Sequence, residues 1–265
     1  MELLESWGLD VRDEVTRGNH FYLAGPDRER SQSLRRALLD PEVRGVFFLR
    51  GGYGSARTLR HLRDLEGPVE KTLVGFSDVT CVHMAAAVQW PATTSVYGPN
   101  LATPQLLDSS PEAAQNREVL RSVLFEDGAW TGSVEFLRGG NATARVIGGC
   151  LTSLVSLVGT PWFPDLRGGI LFLEDAGEAP YRIDRMLTQL RDCGALQELA
   201  GLVFGSLHGC VDRYNDPREV VMDAIGDGDY PVAFGLPTGH GPINLALRLN
   251  AEYRLDSEHG HLSVV

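Results

Sequence analysis

Apolar residues gather into short unbroken blocks along the chain, separated by polar stretches in which apolar positions recur every three to four residues. Gly45-Val46-Phe47-Phe48-Leu49 and Thr72-Leu73-Val74-Gly75-Phe76 are two such blocks, short and continuous as in strands covered on both faces. Before the first, Leu34, Ala37 and Leu38 fall at helical spacing, which predicts a helix over 27–39 that Asp40-Pro41 ends. After the second, Val82, Met84, Ala85 and Ala86 give an apolar face to a helix over 79–89. Strand–helix–strand order at this spacing implies a parallel α/β sheet. The alternation returns later: an apolar helix over 151–158, a strand over 170–173, a helix over 181–193 and a strand over 201–205. Asp216-Pro217 then opens a helix that stops by Gly226, and 247–265 reads as a closing β-hairpin around Glu258-His259-Gly260. Between the two halves the pattern weakens. Asp108-Ser109-Ser110-Pro111 opens a polar helix, and Gly139-Gly140-Asn141 and Gly148-Gly149 mark turns.

The expected architecture is therefore α/β in two parts. A Rossmann-like parallel-sheet domain covers 1–110, a crossover linker 111–145, and a β-rich α/β domain 146–265. At the start, 2–7 looks like the last turns of a helix, Gly8 a stop and 9–11 the next strand. A doubly wound unit places a strand before that helix, so the first strand of the sheet is expected to be missing.

Composition narrows the function classes. A length of 265 residues suits two domains, and 43% hydrophobic with 22% charged residues is ordinary globular usage. A net charge of −11 without a Lys/Arg-rich run argues against a nucleic-acid partner. Cysteines 81, 150, 193 and 210 include no CxxC pair, so neither a zinc site nor a redox motif is expected, and reduced thiols in a cytoplasmic protein are the simplest reading. Met1-Glu2-Leu3-Leu4-Glu5 shows no apolar signal segment, and no apolar run approaches the ~18–20 residues of a membrane span.

Three clusters fall at strand ends, where α/β proteins place ligands. Arg50-Gly51-Gly52-Tyr53-Gly54 follows the first strand; its glycines allow backbone N–H groups to cradle an oxyanion or phosphate, or simply make a tight turn. It is not a P-loop, because no Gly-Lys-Ser/Thr follows. Gly75-Phe76-Ser77-Asp78 puts a serine at a strand-to-helix turn, the geometry of a nucleophile elbow, although Ser77 or Asp78 acting as a helix cap explains the same residues. The third cluster pairs Glu174-Asp175, after the 170–173 strand, with His240 in a glycine-flanked loop. A serine nucleophile needs a base within reach, and the base needs an orienting carboxylate. Ser77, Glu174 and His240 supply one of each.

Six segments together resemble the LD-carboxypeptidase family of serine peptidases, which includes murein tetrapeptide carboxypeptidases and microcin-C self-immunity peptidases. They are FFLRGGYGSARTL (47–59), LVGFSDVTCVH (73–83), YGPNLA (97–102), GGCLTSLVSLVGTPW (148–162), GILFLEDAGEAPYRIDRMLTQL (169–190) and GLPTGHGPINLAL (235–247), in family order. The resemblance implies Ser77 as nucleophile, Glu174 as the triad carboxylate and His240 as general base, with the site between the two domains. It also implies an oxyanion hole from the backbone N–H groups of Asp78 and Gly52, a murein peptide substrate and a homodimer, with no cofactor or metal. Arg50, Gly51 and Tyr53 are candidate substrate contacts, and Arg57 lies near the same loop. Cys150 stands where some members have asparagine, and Arg248-Leu249-Asn250 where many have Leu-Pro-x-Gly. The expected activity is release of terminal D-alanine from murein tetrapeptide. Two alternatives are an amidase for peptidyl- or acyl-nucleotide toxins, separable by substrate assay, and a catalytically silent binding module, which would not be labelled at Ser77 by a serine-reactive probe.

Overall fold

A computed structural model describes every residue except 17, 66, 127 and 129. The front half runs α1 (Glu2–Ser6), α2 (Asp27–Leu39), β1 (Gly45–Phe47), α3 (Ser55–Leu59), β2 (Thr72–Gly75), α4 (Thr80–Gln89), β3 (Thr94–Tyr97), α5 (Pro104–Leu107) and α6 (Pro111–Phe125). The back half runs β4 (Thr131–Ser133), β5 (Glu135–Arg138), β6 (Asn141–Cys150), α7 (Leu151–Val155), β7 (Ile170–Ala176), α8 (Pro180–Asp192), β8 (Gly201–His208), α9 (Pro217–Ile225), β9 (Val232–Phe234), β10 (Leu247–Leu249), β11 (Glu252–Asp256) and β12 (His261–Val264).

Two sheets result, with order β1-β2-β3-β10 and β4-β12-β11-β6-β7-β8-β9-β5. β1, β2 and β3 are parallel, as are β6 through β9, which bears out the mixed α/β reading. The larger sheet ends on β4 and β5, which only Val134 separates in sequence, so the sheet must curl until its ends meet. Helix ends follow local chemistry. The Ser110 hydroxyl accepts the Ala113 amide at 3.1 Å ahead of Pro111, and Asp216 accepts the Arg218 amide at 2.8 Å ahead of Pro217. In α8, Ile183, Leu187 and Leu190 form the buried stripe that lies on the sheet.

Several expectations are corrected. Residues 9–11 form no strand: the segment pairs with neither sheet, and β1 stands at the edge of the smaller one. The segment 247–249 is not part of a terminal hairpin. It is β10, which crosses back and pairs antiparallel with β3, Leu247 opposite Tyr97; only β11 and β12 form the hairpin. Asn250 turns the chain between β10 and β11 at φ +61°, a conformation asparagine tolerates. The segment 111–145, read as a linker, carries α6, β4, β5 and the start of β6. From α6, Leu120 and Val123 pack with Val74 and Val96 of the first sheet.

Buried residues of both halves, from Leu73, Val79 and Met84 to Leu171, Phe172 and Phe204, make one continuous apolar cluster. At the seam, the Tyr97 and Phe172 rings meet edge to face at 5.3 Å. Gly148 shows how tightly this region is built: at φ +134°, a Cβ there would overlap the Phe172 carbonyl oxygen of the neighbouring strand. Gly148→Ala is expected to destabilise the protein by about 4 kcal/mol or more, read from urea unfolding, since backbone strain and steric overlap add. Near-native stability would contradict this packing. Among the described residues, no helix is long and apolar enough to cross a membrane.

Candidate active site

The turn that carries Ser77 is strained. After buried β2, Phe76 is extended (φ −143°, ψ −175°), and Ser77 then takes φ +65° before a 3-10 turn over Ser77–Val79 leads into α4. A left-handed non-glycine residue is unfavourable by itself, so the surroundings must impose it. Asn100, 1% exposed, supplies part of that constraint: its Oδ1 accepts the Phe76 amide at 3.2 Å and its Nδ2 donates to the Phe76 carbonyl at 3.4 Å. The Ser77 amide donates to the Tyr97 hydroxyl at 3.2 Å. Asp78 does not cap α4; its Oδ2 accepts the Ser55 amide at 2.8 Å and so fastens the glycine-rich loop to the serine turn.

The structure brings Ser77, His240 and Glu174 together from residues far apart in the chain. His240 Nε2 lies 3.0 Å from Ser77 Oγ, and His240 Nδ1 lies 2.7 Å from Glu174 Oε2. Glu174 Oε2 also accepts the His240 backbone amide at 3.1 Å, while Oε1 accepts the Tyr97 hydroxyl at 2.5 Å. A closed ring of hydrogen bonds thus runs from the Ser77 amide through Tyr97, Glu174 and His240 back to the Ser77 hydroxyl. The network fixes the imidazole tautomer: Nδ1–H faces the carboxylate and Nε2 is left to accept from Ser77.

Electrostatics agree with that assignment. Burial alone would lower the pKa of His240, but the hydrogen bond and charge of Glu174, with the charge of Asp175, more than offset it and raise the pKa. Burial, then the charge of Glu174, holds the Tyr97 phenol well above its usual value, so it stays a proton donor. His83 is different. Its Nε2 meets the Gly75 carbonyl at 2.9 Å, and burial lowers its pKa to about 4, so it is a neutral core residue. Burial raises the Cys81 thiol to about 12 and holds the Cys150 thiol well above its ordinary value, which leaves neither as a thiolate nucleophile.

The His240 loop is clamped as firmly as the serine turn. Gln105 Nε2 donates to the Gly239 and Gly241 carbonyls on either side of His240, at 2.9 and 2.5 Å. Asn244 Oδ1 accepts the Gly239 amide at 2.9 Å, its own amide donates to Asn116 at 2.8 Å, and Asn116 Nδ2 bonds the Pro242 carbonyl at 3.0 Å. Gly239 has φ +122°, and a Cβ there would sit 2.5 Å from Glu174 Oε2, so only glycine fits beside the carboxylate.

The loop residues divide. A Cβ on Gly51 would lie 2.9 Å from Ser77 Cβ, so this backbone packs directly on the serine, whereas Gly52, at φ +106°, faces open space. Among the described residues the Asp78 and Gly52 amides have no hydrogen-bond partner, leaving both free to donate. Arg50 and Tyr53 are exposed. Arg57 is committed to Asp27, at 2.9 Å. Arg182 pairs with Glu178, and Arg185 lies over the Tyr181 ring. Asp175 accepts the Thr152 amide and hydroxyl at the start of α7. Among the described residues, the side chains that could gather three metal ligands are Asp256, Glu258 and His259, in the terminal hairpin. Sequence reasoning gave no role to Tyr97, Asn100, Gln105, Asn116 or Asn244. A tyrosine and an asparagine within Tyr97-Gly98-Pro99-Asn100, beside a strand of buried residues, were the available signal.

Residues 1–98 match the N-terminal domain, and residues 143–255 the C-terminal domain, of the LD-carboxypeptidase family. A Synechocystis sp. relative that carries a carboxypeptidase name is 36% identical over 276 residues, covering 99% of this chain and 87% of its own. The murein tetrapeptide carboxypeptidase of Pseudomonas aeruginosa is 31% identical over 262 residues, covering 92% of this chain and 82% of its own. The crystal structure of a muramoyltetrapeptide carboxypeptidase from Oxalobacter formigenes superposes with a TM-score of 0.84 at 31% identity, covering 99% of this chain and 91% of that one.

Proposed function

The chain belongs to the LD-carboxypeptidase family of peptidases, and from that premise we propose that it is a serine carboxypeptidase that releases terminal D-alanine from a murein tetrapeptide. The observation that carries this reading is the closed hydrogen-bond ring, which presents the Ser77 hydroxyl to the Nε2 lone pair of His240. His240 takes the hydroxyl proton as Ser77 Oγ attacks the carbonyl carbon of the scissile bond. Glu174 holds the tautomer and stabilises the imidazolium that forms. The Asp78 and Gly52 amides receive the oxyanion; one such donor is typically worth ~2.7–4 kcal/mol of transition-state stabilisation. His240 then protonates the departing amine of D-alanine, leaving an acyl-enzyme that a water activated by His240 hydrolyses. The same reading makes the enzyme a cytoplasmic homodimer that recycles wall peptides.

Mass spectrometry of murein tetrapeptide incubated with the purified protein tests reaction and substrate together. Tripeptide and free D-alanine are expected; unchanged tetrapeptide would end the reading. The pH dependence gives an independent check. His240 acts only when Nε2 is unprotonated, and its pKa lies above the ordinary 6.5. The acidic limb of kcat/KM should therefore rise through a midpoint above 6.5, and a midpoint below it would contradict the assigned base.

A further inference from the structure

Tyr97 closes β3 in the middle of the front sheet, between Gly75 of β2 and Leu247 of β10. Its side chain crosses to the back half of the chain. The ring packs edge to face on Phe76 at 6.2 Å and on Phe172 at 5.3 Å. Gly149 of β6 closes a further side, where a Cβ would lie 2.8 Å from Tyr97 Cε2. A fully buried ring held by these neighbours has no room to swing, so the fold fixes the position of its hydroxyl. A buried phenol needs partners for its oxygen, and both that it finds belong to the candidate site. It donates to Glu174 Oε1 at 2.5 Å and accepts the Ser77 amide at 3.2 Å. Among the described residues it is also the single hydrogen-bond partner of Glu174 Oε1 and of the Ser77 amide.

One oxygen atom thus stands between two groups that must agree in position. Ser77 comes from the front half, Glu174 and His240 from the back, so the 3.0 Å separation of Ser77 Oγ and His240 Nε2 depends on how the halves are set against each other. The Ser77 amide, spent on the phenol oxygen, is withdrawn from any oxyanion, which fits a hole built from the Asp78 and Gly52 amides. Glu174 is fully buried, and a buried carboxylate oxygen that loses its donor is left uncompensated.

We infer that Tyr97 is a positioning residue for the proposed reaction: its hydroxyl ties the Ser77 turn to the Glu174 carboxylate and so sets the geometry and the charge balance in which His240 works. The inference rests on the serine-peptidase reading above and adds a fourth side chain to it. Tyr97 is buried away from any substrate, so it acts through Ser77 and Glu174 alone.

The direction of its effect on protonation follows from the pair it touches. Glu174 and His240 titrate as a unit, neutral when His240 is protonated and anionic when it is not. The phenol proton stabilises the anionic pair more than the neutral one, because more uncompensated negative charge then rests on the carboxylate. Without the hydroxyl, the pair holds its proton to higher pH. The other titratable groups nearby do not change with it. Burial holds the thiol of Cys150, opposite Glu174 on β6, well above its ordinary value. Burial also lowers His83, on α4 beside the Tyr97 ring, to about 4. Asp175 on β7 accepts from Thr152 and from the Ala176 amide, and Asp78 accepts the Ser55 amide.

The test is Tyr97→Phe, which removes one oxygen and keeps the ring, with thermal denaturation first showing the variant folded. Against murein tetrapeptide, kcat on the pH plateau is expected to fall about tenfold to a hundredfold, with KM changed less than about twofold. The acidic limb of kcat/KM should move upward by about half a pH unit or more. The same shift should appear without substrate in the NMR titration of the His240 ring protons, assigned by their loss in His240→Gln. In a Glu174→Gln background the substitution should leave that titration in place, because no charge remains there to lose its donor. Unchanged kcat and midpoint in Tyr97→Phe would overturn the inference. So would a lower kcat with an unmoved midpoint, the mark of a packing role, or an equal shift in the Glu174→Gln background. If the wild type cleaves no tetrapeptide, the substrate reading fails, and the NMR titration still decides whether the Tyr97 hydroxyl acts on His240 through Glu174.

Discussion

Ser77→Ala is expected to lower kcat for D-alanine release by roughly 10⁴-fold or more while leaving the fold intact, because no other group in the ring can supply the attacking oxygen. Full activity of a clean preparation would remove the nucleophile assignment. The strained backbone adds a second readout from the same position. Alanine keeps the penalty of φ +65°, whereas glycine does not. Ser77→Gly should therefore be equally inactive but more stable than Ser77→Ala by about 1 kcal/mol in urea unfolding. Equal stability would mean that the turn is not held under strain.

Glu174→Gln is expected to cost roughly 10³–10⁴-fold in kcat, although it preserves shape. The carboxylate accepts three donors: the Tyr97 hydroxyl and two N–H groups of His240. A carboxamide has a single accepting oxygen, so it cannot accept all three, and its NH₂ must face either His240 or Tyr97. Turned toward His240, it favours the tautomer with a proton on Nε2, which has no lone pair left for Ser77. Turned toward Tyr97, it leaves the phenol proton without an acceptor in a buried place. The residual activity carries its own signature. Burial lowers the pKa of His240 and Glu174 raises it, so losing the carboxylate's charge should move the acidic limb to lower pH. A limb that stays in place would show that Glu174 does not set the charge state of the base.

The core of this arrangement was legible because local chemistry and fold agree at the residues concerned. Buried strands end at Gly75 and near Glu174, and each end leads into a polar turn. Such a pattern places side chains at the rim of a parallel sheet whatever the rest of the chain does. Contacts made across the chain were much less visible. Tyr97 reads locally as one more aromatic in a strand, and its importance lies in Glu174, 77 residues later. Gln105, Asn116 and Asn244 look like ordinary helix and loop amides until the fold stacks them under the His240 loop. In sequence, β10 reads as half of a hairpin because its alternation fits any antiparallel partner; only the tertiary fold selects β3. The segment 9–11 has the local character of a strand, yet it pairs with neither sheet, and its residues alone do not show that.

The return of β10 to the first sheet affects how the molecule is made. A ribosome delivers the serine turn early, yet β3 has an unpaired edge until residues 247–249 emerge, more than half the chain later. The His240 loop emerges only shortly before them. The nascent front half therefore lacks both its closing strand and His240 for most of translation, and the candidate site is completed together with the last stitch of the fold. Separately expressed halves should consequently associate through that edge to regain activity, not work alone.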